Sequence, residues 1–394
     1  PEQQLRSPAN ITLAHVQKYG LPACRRQADA ALALAKRMPN PPPDVVLHLY
    51  SLIGAGARIA DDRARMLQAS EEGIAFADRH GIAPESPMRM ELMRNRAEAL
   101  YQFGQYPQAE IAVRQAITAS EKTGSGGDTR IGIFYGILAK TLSGQGRYRE
   151  ALSAHKDGTR LMPLADLGPR NKAVNLGNEA MLLYADGDYA KGLALTEQAV
   201  SILQTAYIAS GDEFRTPVEV KHVLLLLAND RTAEAKALLG ALLPRVRGAE
   251  GVDSENYALV VETMAKVELH AGDAANGQKL LDEARERFAK RGLPPTHVKF
   301  AQYLREDAAF ARLRGDLAAA ESKQREAVAK LQVVGNRFDV AAARAELAAI
   351  RAARGDNAEA RTLLVLALPV MRDSVLPRQL DRAAAETMAK RLGL

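Results

Sequence analysis

The sequence holds a single cysteine, Cys24, and no tryptophan. One thiol excludes an intrachain disulfide framework and a cysteine-built zinc site. Aromatic residues are scarce at 5%, against 47% hydrophobic overall, with alanine abundant. That balance suits closely packed helices, because alanine has the best helix propensity and lets backbones approach. Long apolar runs are missing as well. One of the longest, Val223-Leu-Leu-Leu-Leu-Ala228, falls far short of the roughly 20 residues of a membrane span. No block of one charge sign exists either. The net charge is +6 and the pI about 9.3, with Lys and Arg scattered among acids, so nucleic acid is not an expected partner.

The usual signatures of chemistry are absent too. The seven histidines are dispersed, with no His-x3-His or His-Glu-x2-His sequence, which disfavours zinc. No serine sits in a Gly-x-Ser-x-Gly elbow, and kinase motifs are missing. Gly124-Ser-Gly-Gly127 lacks a preceding strand and a following Gly-Lys-Ser/Thr, so it is expected to be a loop rather than a phosphate cradle. Asp186-Gly187-Asp188 lacks the alternating oxygen ligands and closing Glu of a calcium loop, leaving a tight turn as the better reading. Arg25 and Arg26 flank Cys24 and would lower its thiol pKa; a half-buried structural cysteine is the plainer alternative. The chain is expected to be non-catalytic, with no metal and no cofactor.

What is present is a repeat. Gly104-Gln-Tyr106, Gly146-Arg-Tyr148, Gly187-Asp-Tyr189, Asp230-Arg-Thr232, Gly272-Asp-Ala274, Gly315-Asp-Leu317 and Gly355-Asp-Asn357 recur at spacings of 42, 41, 43, 42, 43 and 40. Stepping backwards in the same register reaches Asp61 and Gly20. Five residues after each marker stand Ala109, Ala151, Gly192, Ala235, Gly277, Ala320 and Ala360. Twelve after it stand Ala116, Gly158, Ala199, Leu242, Ala284, Ala327 and Ala367, and seven before it Ala97, Ala139, Ala180, Val223, Ala265, Ala308 and Ala348. Small residues at fixed offsets are what crossing helices require. Apolar residues at three-four spacing precede and follow each marker, so every repeat is expected to be a helical hairpin turned by a glycine cap. Residues 1–43 are expected to form a degenerate N-terminal hairpin and 44–376 the array. Residues 377–394 are expected to form a half-polar helix covering the last apolar face.

These residues resemble the tetratricopeptide repeat (TPR) family, whose pattern pairs a small residue late in the first helix with a Gly-x-Tyr turn and later alanines. The likeness spans residues 44 to 376, and its 40–43-residue spacing is similar to the long repeats of kinesin light chains and of the C-terminal regions of bacterial serine/threonine kinases. It implies an all-α fold, a right-handed superhelix of about eight hairpins plus the terminal helix. It also implies a concave groove lined by first helices. By register the groove takes Arg94, Asn95, Glu98, Tyr101, Lys140, Asn178, Met181 and Tyr184, then Leu224, Leu227, Glu262, Lys266 and His270, then Arg305 and Arg312. The two-Lys, two-Asn carboxylate clamp of chaperone-binding members is not reproduced.

The resemblance therefore implies a scaffold for a protein or extended peptide, as the interaction or sensing region of a bacterial multidomain regulator such as a serine/threonine kinase. The alternative is a regulator gated by a small ligand or peptide, as in the TPR region of a transcriptional activator. The alanine face of the last repeat, Ala345, Ala349, Ala352 and Ala353, should pack on the terminal helix or on a second protomer. The chain starts at Pro1 without a signal pattern and is expected to be a fragment or processed product. A cytoplasmic setting is expected, or a periplasmic one for a kinase tail.

Overall fold

A computed structural model describes residues 21–60, 62–122, 129–162, 167–206, 208, 212, 214–290 and 297–394. The expected marker positions Gly20 and Asp61, the first helix of the N-terminal hairpin, the Gly124–Gly127 loop and the Cys24 side chain lie outside the described residues. Eighteen helices and no strand are found among the described residues. A lone helix α1 (Leu21–Ala35) precedes eight hairpins. These are α2 (Pro43–Ile59) with α3 (Arg63–Arg79), α4 (Pro87–Gln102) with α5 (Tyr106–Lys122), and α6 (Thr129–Gly144) with α7 (Tyr148–Leu161). Then come α8 (Pro169–Asp186) with α9 (Tyr189–Thr205), α10 (Arg215–Ala228) with α11 (Thr232–Glu250), and α12 (Glu255–Ala271) with α13 (Ala274–Ala289). The last two are α14 (Val298–Leu313) with α15 (Leu317–Val334), and α16 (Arg337–Ala353) with α17 (Asn357–Ser374), followed by α18 (Leu380–Arg391).

The turn chemistry explains the repeat. All seven marker residues take a left-handed backbone, with φ between 59° at Asp230 and 95° at Gly187. Asp230 is the one non-glycine with positive φ among the described residues. A short polar side chain tolerates that region where a branched one does not. Asp188, Asp273, Asp316 and Asp356 each follow a marker and start the next helix, and all but Asp188 accept a hydrogen bond from the backbone N–H three residues on. Gly-Asp thus ends one helix and caps the next within two residues. The small-residue register is buried throughout, from Ala97 and Ala109 at 0% exposure to Leu242 at 2% and Ala139 at 3%. A Cβ added at Gly192 would stand 2.8 Å from Leu225 Cδ2, and one at Gly277 would overlap the Phe310 ring.

The chain divides into two compact units, residues 1–141 and 142–394, with the division inside α6. In the first unit, Ala28, Ala31, Leu32 and Ala35 of α1 pack with Val45, Leu49 and Tyr50 of α2 and Leu92 of α4. In the second, successive hairpins stack through clusters such as Val223, Leu226, Leu239, Val260 and Val261. Its last cluster joins Ala345, Ala348, Leu364 and Met371 to Ala385 and Ala389 of α18, with Ala352 packed at the margin. Of the alanine face, Ala345 and Ala352 thus share a cluster with the terminal helix, while Ala353 is exposed. Tyr148 of α7 and Ala185 of α8 belong to this same cluster, so the last repeat of the second unit touches its first two.

Candidate functional site

In the first unit, the residues assigned to a groove are loosely engaged. Arg94 is half-buried and bonds Glu91 on its own helix. Glu98 of α4 stands 3.9 Å from Lys140 of α6, and the half-buried Tyr101 tilts against Tyr106 with ring centroids 5.8 Å apart. Asn95 requires a correction. It is fully buried at 0% exposure, facing Gly54 and Ser70, and neither its amide nitrogen nor its oxygen has a hydrogen-bond partner. The close approach of α2 and α4, permitted by Gly54, takes it away from any ligand.

The second unit differs. There the first helices pair with one another across repeats. Lys221 Nζ donates to Asn178 Oδ1 at 2.7 Å. The carboxylate of Glu262 on α12, 1% exposed, receives Lys266 Nζ at 2.7 Å and Lys299 Nζ of α14 at 2.8 Å. Lys266 also stands 3.4 Å from Glu306 of α14. Arg305 of α14 forks onto Glu346 of α16 through Nε at 3.0 Å and Nη2 at 2.6 Å. A second carboxylate, Asp339, lies 4.0 Å from its guanidinium.

The fields of these groups overlap in one polar hub. Burial raises the Tyr184 hydroxyl pKa, and the charges of Lys266, Asp381 and Arg305 all act on it. Tyr148 is raised by burial and by Asp339, while its hydrogen bond to Asn336 and the charges of Arg305 and Asp381 also bear on it. Burial pushes Asp339 up to about 6 against the pull of Arg305, and raises Asp381 on the terminal helix likewise. Glu262 moves the other way. Burial favours its neutral form, but Lys266 and Lys299 outweigh that and hold it down, to about 2. Lys266 is itself raised: burial opposes its charge, and Glu262 and Glu306 overcome the opposition.

Lys266 and Glu262 are therefore in direct contact, and the charges of Lys266 and Arg305 both act on Tyr184. Met181 is half-buried on α8 and Arg312 exposed in the last turn of α14. His270 is exposed, and a ring nitrogen of His222 is 3.0 Å from Thr196 Oγ1. Sequence reading missed Tyr148, Lys221, Lys299, Glu306, Asp339, Glu346 and Asp381. A signal existed for several of them. Glu346 follows Arg305 by 41 residues, Glu306 follows Lys266 by 40 and Lys221 follows Asn178 by 43, one repeat in each case. Among the described residues no group of three or more His, Cys, Asp or Glu is placed to hold a metal ion, and no helix is long and apolar enough to cross a membrane.

No family model matches the sequence, and no curated relative matches it. Solved structures do match. The apo form of the quorum sensor NprR from B. thuringiensis superposes with a TM-score of 0.59 at 14% identity, over 84% of this chain and 86% of that one. NprR in complex with its cognate peptide NprX gives 0.59 at 15% identity, over 84% and 87%. A Rap protein complexed with Competence and Sporulation Factor gives 0.53 at 12%, over 100% and 98%. The fold is a TPR-type repeat fold. Identities this low establish the architecture alone, and the TPR-type scaffold supplies what its hub then has to explain: a face of first helices dense in charge and tyrosine, made of five helices and a cap.

Proposed function

We propose that this TPR-type chain is a peptide-sensing regulator, binding an extended peptide along the first-helix face of its second unit. The observation that carries the reading is the series of polar contacts between successive first helices, Lys221 to Asn178, Lys299 to Glu262 and Arg305 to Glu346, with the charges of Lys266 and Arg305 acting on Tyr184. Arginine forks suit carboxylates, and tyrosines supply contact area at low entropy cost. The neighbours that share the fold over most of their length include a quorum sensor with its cognate peptide, which supports a peptide over a folded protein. They lend no support to a kinase tail, so the gated regulator is the preferred of the two contexts. Asn178, Met181 and Arg312 belong to the same face in this reading, and Arg94, Glu98, Tyr101 and Lys140 to a separate one on the first unit.

A synthetic library of short peptides, screened by mass spectrometry on the immobilised chain, tests the proposal. The retained peptide should lose at least about tenfold in affinity in Asn178→Ala and in Arg305→Lys, the latter because lysine keeps the charge and loses the fork. Equal affinity in both variants would place the binding elsewhere, and retention of no peptide would remove the proposal.

A further inference from the structure

The second unit is closed by a seam that joins its beginning to its end. At one point Arg337 N donates to Gln145 O at 3.3 Å, and Tyr148 meets Phe338 edge-on with centroids 5.3 Å apart. At the other, the stretch 375–381 lies across the turn Asp186–Tyr189. Leu376 N donates to Asp186 O at 2.9 Å, Arg378 Nε to Gly187 O at 2.8 Å, and Leu380 N to Tyr189 Oη at 2.9 Å. Val375 O accepts from Arg149 at 3.2 Å. The stretch is extended at Val375 and at Gln379, and Pro377 keeps Leu376 out of the helical region. It is held mainly through backbone atoms, as an extended peptide is held.

Two features mark the contact as made to open. First, Asp188 departs from its equivalents. Asp273, Asp316 and Asp356 cap the helices they precede, whereas Asp188 makes no side-chain cap on α9. Its carboxylate reaches Arg378 at 2.7 Å and Lys191 at 3.2 Å. A capping bond has been exchanged for a contact across the seam. Second, the outer edge of the seam is open to water. Arg378 is 58% exposed and Leu380 56%, so the Arg378 end of the ion pair is screened by solvent. The apolar contribution comes from Tyr148, Phe338 and Ala185. Polar interfaces of this kind between parts of one chain permit relative motion.

The closing segment also delivers Asp381 to the hub, where it acts on Arg305, Tyr148 and Tyr184. We propose that residues 375–381, together with Asn336–Phe338, form a releasable clasp that shuts the hub against ligand and must part from turns 145–148 and 186–189 before a peptide reaches Tyr184, Lys266 and Arg305. The clasp rests on the peptide reading for its ligand, but its opening is a property of the chain alone. In the closed state Glu346 occupies Arg305 and the charge of Asp381 acts on it, which is the competition an incoming carboxylate has to win.

Amide hydrogen exchange on the full chain decides it. The N–H groups of Arg337, Leu376 and Leu380 bond across the seam, while those of Val375 and Ala383 bond to Met371 O and Gln379 O on the clasp's own side. In the wild-type chain the three should exchange faster than the two. Arg378→Glu, which faces Asp188 with like charge, should speed the three by about tenfold and leave the two unchanged. Small-angle scattering of the variant should show a larger radius of gyration. Equal protection of all five amides in the wild type, or equal acceleration in the variant, overturns the clasp. The wild-type comparison stands even where the variant fails to fold. A chain that binds a library peptide with seam amides still fully protected refutes the clasp and spares the peptide reading. Local seam opening without any retained peptide does the reverse.

Discussion

The two units obey one repeat grammar and make different surfaces from it. In the first, the charges at the groove positions pair within a helix, as Arg94 does with Glu91, or stand loosely apart, as Lys140 and Glu98 do at 3.9 Å, and it is Arg89 of α4 that reaches back to Asp78 of α3. In the second they lock one repeat to the next, as Arg305 does onto Glu346 and Lys299 onto Glu262. The glycine turns differ in parallel. Gly104 has nothing within 4 Å of a would-be Cβ, while one on Gly187 would meet Gln379 Cα at 2.8 Å and one on Gly146 would meet Phe338 N at 2.7 Å. The same left-handed turn is a local device at Gly104, and at Gly272, Gly315 and Gly355 of the second unit, and a docking surface at Gly146 and Gly187 alone among the marker glycines.

Mutations that hit matched positions in the two units break this comparison most directly. The largest effect is expected from Glu262→Ala, which strands Lys266 and Lys299 without their shared carboxylate. Removing one partner of a buried ion cluster costs on the order of 3–5 kcal/mol, to be read as a lower urea midpoint. Glu262→Gln keeps the volume and separates charge from packing. Next comes Gly187→Ala, where positive φ and the clash with Gln379 combine to about 3 kcal/mol or more. Gly104→Ala shares the φ penalty alone, about 1–2 kcal/mol. Equal losses at the two glycines would erase the distinction between the turns.

The third prediction has the opposite sign. Asp339 faces Arg305 on α14, Glu346 on its own helix and Asp381 on α18, and its folded pKa is about 6 against an ordinary 3.8. Between those values the folded chain keeps a proton that the unfolded chain has lost, so stability falls as pH rises from about 4 to 6 and is level above. Asp339→Asn should remove that slope and raise stability at pH 7 by on the order of 1–3 kcal/mol. Glu262 supplies the counterexample within the same unit. Its lowered pKa contributes stability that is complete above the ordinary value of 4.5 and is lost as pH falls towards 2. Acid titration of wild type and Asp339→Asn, followed by circular dichroism, checks both. The smallest effect belongs to Lys140→Ala in the first unit. Its pair with Glu98 is long, with Lys140 43% exposed, and the loss should stay below about 0.5 kcal/mol.

Much of the fold was legible in the sequence because steric demands repeat. A crossing that admits only alanine or glycine, at Ala97, Ala139 and Ala180, leaves a trace every 41 to 43 residues. The hub was half legible. Tyr184, Lys266 and Arg305 follow from register, but their partners follow only when opposite charges are sought one repeat onward. Asn95 was misplaced because register gives a direction and not a depth, and the missing Cβ of Gly54 lets α2 approach it. The seam left no periodic trace at all. It joins Asp188 to Arg378, 190 residues apart, and is held for the rest mainly by bonds to backbone atoms.

Tyr189 Oη, accepting the amide of Leu380 from the far end of the unit, bears on how the chain reaches its native state. A linear solenoid has almost only neighbour contacts, folds from any point outward and frays from its ends. A bond of such high contact order must wait until everything between has formed, and the entropy of closing that loop falls on the last step. Refolding of the second unit should accordingly end in a slow phase sensed at Tyr189, and its unfolding should begin at the seam. Tyr189 and its fellow seam contacts thus add a long-range link, the last to form and the first to part, to a row of otherwise separable hairpins.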